Sequence, residues 1–364
     1  MIRPYDAVSD DTDEIIHARI YWRTNVRFSI GYAAPLTGPQ SIVGVPMLRV
    51  VEMAAVDLSR EGVDLDVVAA DDQADDSAAA GVARELAGNP AVIAVVGHKN
   101  SGPSRAAAPV YAAAGLAQLS QCATDNSLTR SGWPTFFRLC ADNERQATAA
   151  AAFAISNLEV RSVVAVHDGT AYGRPLVEAF ARALPSALVL EMSVGQEDFS
   201  AVVTRARSAK ADLVYIGATE IEGSKLMMAL RGAGSSAQVM TSEGGPQNPL
   251  AGLAGEAAEG SIHTYAGLDP TSNEAAQWLI ERCEREIGGA PSFAVETYEA
   301  VMVIADALGR GATTRPELRD AIADADLEGF NGRIRFDATG EREGAPVSLW
   351  RVVGGRMVPV ASET

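Results

Sequence analysis

Residues 91–104 read AVIAVVGHKNSGPS and place a short apolar run directly before a polar loop. The run of small and β-branched residues ends at Gly97, and the AAAPVYAAAG segment that follows is helical in composition. A loop between a buried strand and a helix N-terminus exposes unpaired backbone N–H groups and the positive end of the helix dipole. The stretch therefore predicts an anion site. The anion is a nucleotide phosphate, a catalytic oxyanion or the carboxylate of a small ligand.

The same alternation of strand and helix recurs along most of the chain. Strands at 26–35 and 161–168 each open a series of such units, and a polar loop at 124–135 separates the two series. Nearly continuous apolar strands separated by helices are typical of a parallel sheet covered on both faces. We therefore predict an α/β fold of two similar doubly wound parallel-sheet lobes. The tail is predicted to hold helices near 273–288, 293–309 and 315–325, a strand at 333–337, and a hairpin at 346–360 that turns at Gly354 and Gly355.

Composition and charge exclude some classes of partner and bear on where the protein is located. The chain has 364 residues, enough for two domains, and its formal net charge of -17 makes nucleic acid an unlikely partner. No run of about 18 apolar residues is present, so no transmembrane segment is predicted. The first 25 residues are acidic and polar and show neither a signal peptide nor a lipidation cysteine. Location is therefore open between an exported and a cytoplasmic protein.

Two nucleotide or hydrolase motifs are missing, and a third occurs in the wrong structural context. The P-loop pattern GxxxxGK[ST] and the nucleophile elbow GxSxG do not occur. The segment GAGSSA (232–237) fits a dinucleotide pattern but follows a helix and precedes a strand, so it is interpreted as a helix C-cap and turn.

Several polar residues stand at predicted strand ends, where side chains bind ligands as readily as they react. Isolated histidines are more often packing residues than metal ligands, and no cysteine pair has zinc spacing, so neither a metal nor a cofactor is expected. An enzyme is the least favoured class. The strand-end residues are His98, His167, Asp71, Asp72 and Asp168, and the cysteines are Cys122, Cys140 and Cys283.

Two residues favour opposite charges on a ligand. Ser101 lies in the loop predicted to bind an anion, although an isolated serine there is ordinarily a helix N-cap. Glu243 follows an apolar strand, where its carboxylate either faces a cleft or is a solvated loop charge. Together the two positions suit a zwitterion.

The separate segments VGHKNSGPS, LAQLSQCATDNSLT, VVAVHDGTAYGRP, DFSAVV, DLVYIGAT and TSEGG occur in one order. In order and wording they resemble the leucine/isoleucine/valine-binding branch of the type I periplasmic binding proteins, from about Val26 to Val360. The resemblance implies two lobes joined by three crossing segments, near 139–143, 265–269 and 336–343, that close over a small ligand by hinge motion. The implied division is an N-terminal extension at 1–25, a first lobe at 26–140 plus 268–338, and a second lobe at 141–267 plus 339–364.

The resemblance also implies a set of ligand-binding residues. Ser101 and Thr124 match hydroxyls that bind a carboxylate, with main-chain groups of Cys122 and Ala123 beside them. On the second lobe three further positions match. Tyr172 corresponds to an aromatic residue that covers the ligand, Glu243 to the acid that receives its ammonium, and Thr219 to a position where relatives often have tyrosine.

Some positions depart from that pattern. Lys99 replaces a residue that is usually apolar in leucine binders, and it either receives an acidic ligand side chain or points to solvent. Residues 41–46 lack the aromatic residue often found in the first loop, so branched-chain specificity is in doubt. Ala74 and Asn100 stand where relatives have a small disulfide.

The function that the resemblance implies is non-catalytic capture of an amino acid, or of a similar small amide-like solute, for import through an ABC permease. The alternative on the same fold is a cytoplasmic small-molecule sensor whose closure regulates a partner protein. No nucleic acid is expected as a partner in either case.

Overall fold

The structure is a computed structural model that describes residues 28–242, 244–245, 248–272 and 274–363, without the side chains of 361–363. The predicted extension at 1–25 and the candidate Glu243 lie outside the described residues. In the first lobe, five parallel strands form one sheet in the order β2-β1-β3-β4-β5. They are β1 (Phe28–Ala34), β2 (Leu65–Asp71), β3 (Val92–Gly97), β4 (Ala117–Ser120) and β5 (Phe136–Arg138). The connecting helices are α1 (Ser41–Arg60), α2 (Asp76–Gly88), α3 (Ser101–Ala113) and α4 (Ser127–Arg130).

The central strands of this sheet are apolar because helices cover both of its faces. Ile30 and Tyr32 of β1 belong to a cluster that includes α1, whereas Ala33 packs with α2 and α3 on the other face. Helix α2 begins where Asp75 accepts hydrogen bonds from the N–H groups of Ser77 and Ala78. The covered parallel sheet predicted from the sequence is confirmed.

The second lobe repeats this winding. Its parallel strands are β6 (Val163–His167), β7 (Leu188–Glu191), β8 (Leu213–Gly217), β9 (Gln238–Thr241) and β10 (Ile262–Tyr265), in the order β7-β6-β8-β9-β10. The helices are α5 (Asn143–Asn157), α6 (Gly173–Ala183), α7 (Ser200–Ser208), α8 (Glu220–Gly232) and α9 (Pro249–Ala254). Because the strand order matches that of the first sheet position by position, the prediction of two similar α/β lobes is confirmed.

The tail contributes helices α10 (Glu274–Ile287), α11 (Ala294–Gly309) and α12 (Arg315–Ala323), and then a small antiparallel pair, β11 (Leu327–Gly329) and β12 (Gly332–Ile334). The hairpin of β13 (Val347–Val353) and β14 (Arg356–Glu363) adds two antiparallel strands to the second sheet beside β10. The predicted strand at 333–337 is too long. It ends at Ile334 because the Asp337 carboxylate accepts hydrogen bonds from the N–H groups of Thr339 and Glu341 and forms a turn.

The chain passes between the sheets three times: after β5, after β10 and between β12 and β13. The N–H of Ala141 in the first crossing donates to the Ala266 carbonyl in the second, at 3.0 Å. The buried Arg138 guanidinium binds Glu341 of the third crossing, with Nε–Oε1 and Nη2–Oε2 distances of 2.8 and 2.5 Å. The crossing segments are therefore tied to one another. The exact lobe boundaries stay predictions.

A buried charged cluster lies against all three crossings. Glu296 and Glu299 of α11 are both fully buried, and Arg342 binds Glu299 at 2.7 Å. Arg342 also donates to the Leu139 carbonyl, and the Tyr265 hydroxyl donates to Glu296 at 2.7 Å. Burial, together with the neighbouring Glu299 carboxylate, raises the pKa of Glu296 to about 7.

Candidate functional site

The loop between β3 and α3 leaves the helix N-terminus without a side-chain cap. Asn100 occupies the N-cap position, but its amide donates to Gln40 Oε1 at 2.8 Å and accepts nothing from the helix. Ser101 begins the helix, and its hydroxyl accepts the N–H of Asp125 at 3.4 Å. The ordinary role of an isolated serine as N-cap is therefore wrong for Ser101. The buried hydroxyl and the uncapped first turn lie together, as an anion site requires.

The segment after β4 lies beside this loop. The Thr124 hydroxyl and the Gln121 side-chain amide are buried, and the described residues offer neither a hydrogen-bond partner. Ala123 differs, because its N–H donates to the Ser120 hydroxyl and its carbonyl accepts from Arg138. Both main-chain groups of Ala123 are thus engaged within the protein in this conformation. A buried hydroxyl without a hydrogen-bond partner lowers the stability of the fold unless another group forms a hydrogen bond with it.

Asn143, the first residue of α5, joins the two halves of the site. Its N–H donates to the Thr124 carbonyl at 2.8 Å, and its side-chain amide donates to the Tyr172 carbonyl at 3.3 Å. Tyr172 occupies the N-cap position of α6 and is 9% exposed. Asn143 therefore links Tyr172, within the second lobe, to Thr124 of the first lobe.

The strand exits of β6 and β8 are linked inside the second lobe. Asp168 accepts hydrogen bonds from the N–H groups of Thr170 and Thr219 at 3.1 and 3.2 Å. The Thr219 hydroxyl in turn donates to Glu222 at 2.5 Å. Burial raises the pKa of Asp168, and the nearby Glu222 carboxylate adds to that rise while the hydrogen bonds oppose it. The two acids are consequently hydrogen-bonded by their own lobe.

Lys99 and Glu220 connect the lobes by a buried ion pair. The Lys99 ammonium lies 3.0 and 3.1 Å from the two carboxylate oxygens of Glu220, the first residue of α8. The side chains are 7% and 2% exposed. The expectation that Lys99 points to solvent is wrong. The Lys99 carbonyl accepts from the Cys122 thiol at 3.2 Å, which holds this loop against the segment after β4.

These contacts, together with the short chain segments between them, form a ring across the two lobes. It runs from Lys99 and Ser101 to the segment 124–125, crosses to Asn143 and Tyr172, and returns along 168–172 to Thr219 and Glu220. Most of these residues follow the carboxyl end of a parallel strand, where open α/β sheets bind ligands. The ring thus brings together the described members of the predicted site. Glu243 lies outside the described residues, and its neighbour Ser242 is buried.

The other strand-end residues have structural partners. The buried His98 ring contacts Asp72 at 2.7 Å and the Tyr111 hydroxyl at 3.1 Å. Asp71 accepts the N–H of Leu36 at 2.8 Å, and His167 accepts the N–H of Gly169 at 3.1 Å. Burial lowers the pKa of His167. These four residues fix loops around the ring.

Other features stand apart from the ring. The three cysteines are buried, and none of them forms a disulfide within the described residues. Within the described ranges no cluster of metal-ligating side chains occurs, and no helix there has the length and apolar character to cross a bilayer. A cavity of about 450 Å³ lies between β2 and α2 and is lined in part by Ala70, Ala78 and Glu85.

Glu220 and Asn143 are the site residues that sequence reasoning missed. Glu220 directly follows Thr219 at a strand exit, a signal that could have placed it at the site, although not against Lys99. Asn143 begins a helix right after a predicted crossing, but its contact with Thr124 depends on how the lobes meet.

Comparisons with known proteins agree with this architecture. The family model described as periplasmic binding protein matches residues 28–356, and the chain belongs to that family. The chain is 29% identical over 342 residues to Leu/Ile/Val-binding protein homolog 3 of Brucella melitensis, covering 91% of this chain and 92% of that protein.

Two solved structures share the fold. The leucine binding protein LivK of Thermotoga maritima is 25% identical with a TM-score of 0.85, covering 92% of this chain and 98% of that one. The branched-chain amino acid transporter substrate binding protein LivJ of Streptococcus pneumoniae, in complex with isoleucine, is 22% identical with a TM-score of 0.85. That match covers 93% and 99% of the two chains.

Proposed function

We propose that this protein captures an amino acid between its lobes, without chemical change, and delivers it to an ABC-type permease. The observation that supports the proposal most directly is the ring, in which Lys99–Glu220 and Thr124–Asn143 contacts bring an uncapped helix N-terminus and buried hydroxyls of one lobe against the other lobe. The relatives' names, which refer to leucine, isoleucine and valine, support an amino acid as the ligand class.

The proposed binding mode follows from charge. The ligand carboxylate accepts hydrogen bonds from Ser101, Thr124 and the first turn of α3, where the helix dipole favours a negative group. The ligand ammonium pairs with Glu243, a role that rests on the sequence alone. Tyr172 covers the ligand from the second lobe. Such charge-assisted contacts are strong in a cleft that excludes water.

The proposed motion is a hinge closure of residues 26–140 plus 268–338 against 141–267 plus 339–364. The crossings tied together by Arg138 and Ala141 supply the axis. The histidines and aspartates at strand ends are engaged in fixing loops, which supports binding without catalysis.

Isothermal titration calorimetry against the twenty amino acids tests the proposal. Ser101→Ala is expected to weaken binding by about 1 to 3 kcal/mol, because one hydrogen bond is lost while N–H donors remain. Glu243→Ala is expected to cost about 2 to 5 kcal/mol, because it leaves the ammonium unpaired. The exposed Ser131→Ala and Glu52→Ala serve as matched controls. Binding of no amino acid, or full affinity in both site variants, overturns the proposal. Chemical alteration of the bound ligand, checked by NMR, overturns its non-catalytic part.

A further inference from the structure

The Lys99–Glu220 ion pair is buried between the two lobes. Lys99 is two residues before Ser101 in the loop after β3, and Glu220 is next to Thr219 after β8. The pair therefore spans from one lobe to the other beside the proposed carboxylate site. Its side chains are 7% and 2% exposed, so protein rather than bulk water surrounds the two charges.

The neighbouring acids are already hydrogen-bonded within their own lobe. Asp168 accepts from Thr170 and Thr219, while Glu222 accepts from Thr219 and from the N–H of Gly195 at 3.2 Å. Lys99 and Glu220, in contrast, hold each other across the interface between lobes. Among these charged groups they are the pair whose contact has to form as the cleft closes.

A buried ion pair discriminates among ligand side chains by their charge and by the hydrogen-bond donors and acceptors that they carry. A branched aliphatic group packed against the pair supplies no hydrogen bond to either charge. An ammonium or carboxylate side chain adds a net charge to a pair that is neutral as a unit. A carboxamide is neutral and carries an acceptor and donors side by side.

Building on the amino-acid function proposed above, we propose that Lys99 and Glu220 recognise the ligand side chain and select a carboxamide. The amide oxygen accepts from the Lys99 ammonium, and the amide N–H donates to Glu220. When the amide binds, one of the two Lys99–Glu220 hydrogen bonds is lost, while Lys99 gains one to the amide oxygen and Glu220 gains one from the amide N–H. Both charges therefore keep hydrogen-bond partners as the cleft closes.

Calorimetry on the full chain with six probes tests this assignment: L-glutamine, L-asparagine, L-leucine, L-isoleucine, L-glutamate and L-lysine. We expect one of the two carboxamides to bind wild type at least about tenfold more tightly than every other probe, the gain from well-placed hydrogen bonds to charged groups. Lys99→Met/Glu220→Met is expected to abolish this preference. The reversed pair Lys99→Glu/Glu220→Lys is expected to retain it. Lys225→Met/Glu197→Met, which removes an ion pair at the surface of the second lobe, is the matched control and is expected to bind like wild type.

The outcomes separate the two proposals. If leucine or isoleucine binds wild type as tightly as the carboxamides, the side-chain assignment is overturned while the amino-acid function stands. Tightest binding of glutamate or lysine likewise overturns the carboxamide. If no amino acid binds, the function itself fails. The wild-type titrations decide these points even if a double variant does not fold, which circular dichroism reports.

Discussion

Glu296 provides a prediction of how stability depends on pH. Its carboxylate is fully buried beside Glu299 and accepts hydrogen bonds from the Tyr265 hydroxyl and the Asn331 side-chain amide, each at 2.7 Å. Arg342 is the nearby cation, and it binds Glu299 directly. Burial first, and then the neighbouring Glu299 carboxylate, raise the pKa of Glu296 to about 7 from its ordinary 4.5, although the Tyr265 hydroxyl and Arg342 oppose the rise.

The direction in which stability changes with pH follows from the number of protons bound in the folded and unfolded states. Between pH 4.5 and 7 the folded protein keeps a proton on Glu296 that the unfolded chain has released, so the free energy of unfolding falls as pH rises. One pKa unit corresponds to about 1.4 kcal/mol. Glu296 therefore lowers the free energy of unfolding by about 2 to 3 kcal/mol between pH 5 and pH 8, and its stabilising contribution is complete only below pH 4.5.

Glu296→Gln is the decisive change, because glutamine keeps one acceptor and resembles the protonated acid. We expect urea unfolding at pH 5, 6, 7 and 8 to show a smaller decline of the unfolding free energy in Glu296→Gln than in wild type, by those 2 to 3 kcal/mol. Glu52→Gln, at an exposed position on α1, is the control and is expected to follow wild type. Equal declines in wild type and Glu296→Gln would refute the reasoning.

Three further predictions concern the site and its frame. Thr124→Val is expected to change the unfolding free energy in urea by less than about 1 kcal/mol, because the Thr124 hydroxyl has no hydrogen-bond partner among the described residues. The same change is expected to weaken amino-acid binding about tenfold in calorimetry. A large loss of stability would contradict this. Arg138→Met removes the ion pair with Glu341 and is expected to destabilise the protein by about 3 to 5 kcal/mol in urea unfolding. An unchanged unfolding midpoint would show that this ion pair does not hold the crossing segments together. Gly97→Ala is expected to yield little folded protein by circular dichroism, because Gly97 has φ +132 and an added Cβ would overlap the Ala33 carbonyl, and normal yield would disprove that constraint.

Much of the fold could be predicted from the sequence because its strands are apolar and its helices periodic. The turn at Gly354 and Gly355 and the helix end at GAGSSA also follow from local chemistry. Strands β5 and β10 were not predicted, and the three residues of β5 are too few to display a pattern. Helix α5 was missed as well.

The candidate site was predictable only where one residue carries the signal. Ser101 and Thr124 stand in loops whose position follows from the strand–helix order. The partner of Lys99 could not be predicted from local sequence, because Glu220 lies 121 positions away and reaches it only across the two lobes. The same holds for Asn143, whose contact with Thr124 needs the crossing geometry.

A crystal structure of the protein with the amino acid that binds most tightly tests the central claim most directly. We predict that the ligand lies within the ring, with its carboxylate at hydrogen-bond distance from the hydroxyls of Ser101 and Thr124 and with Tyr172 covering it. A ligand bound elsewhere, for example in the cavity between β2 and α2, or one whose carboxylate faces away from the N-terminus of α3, would contradict the account.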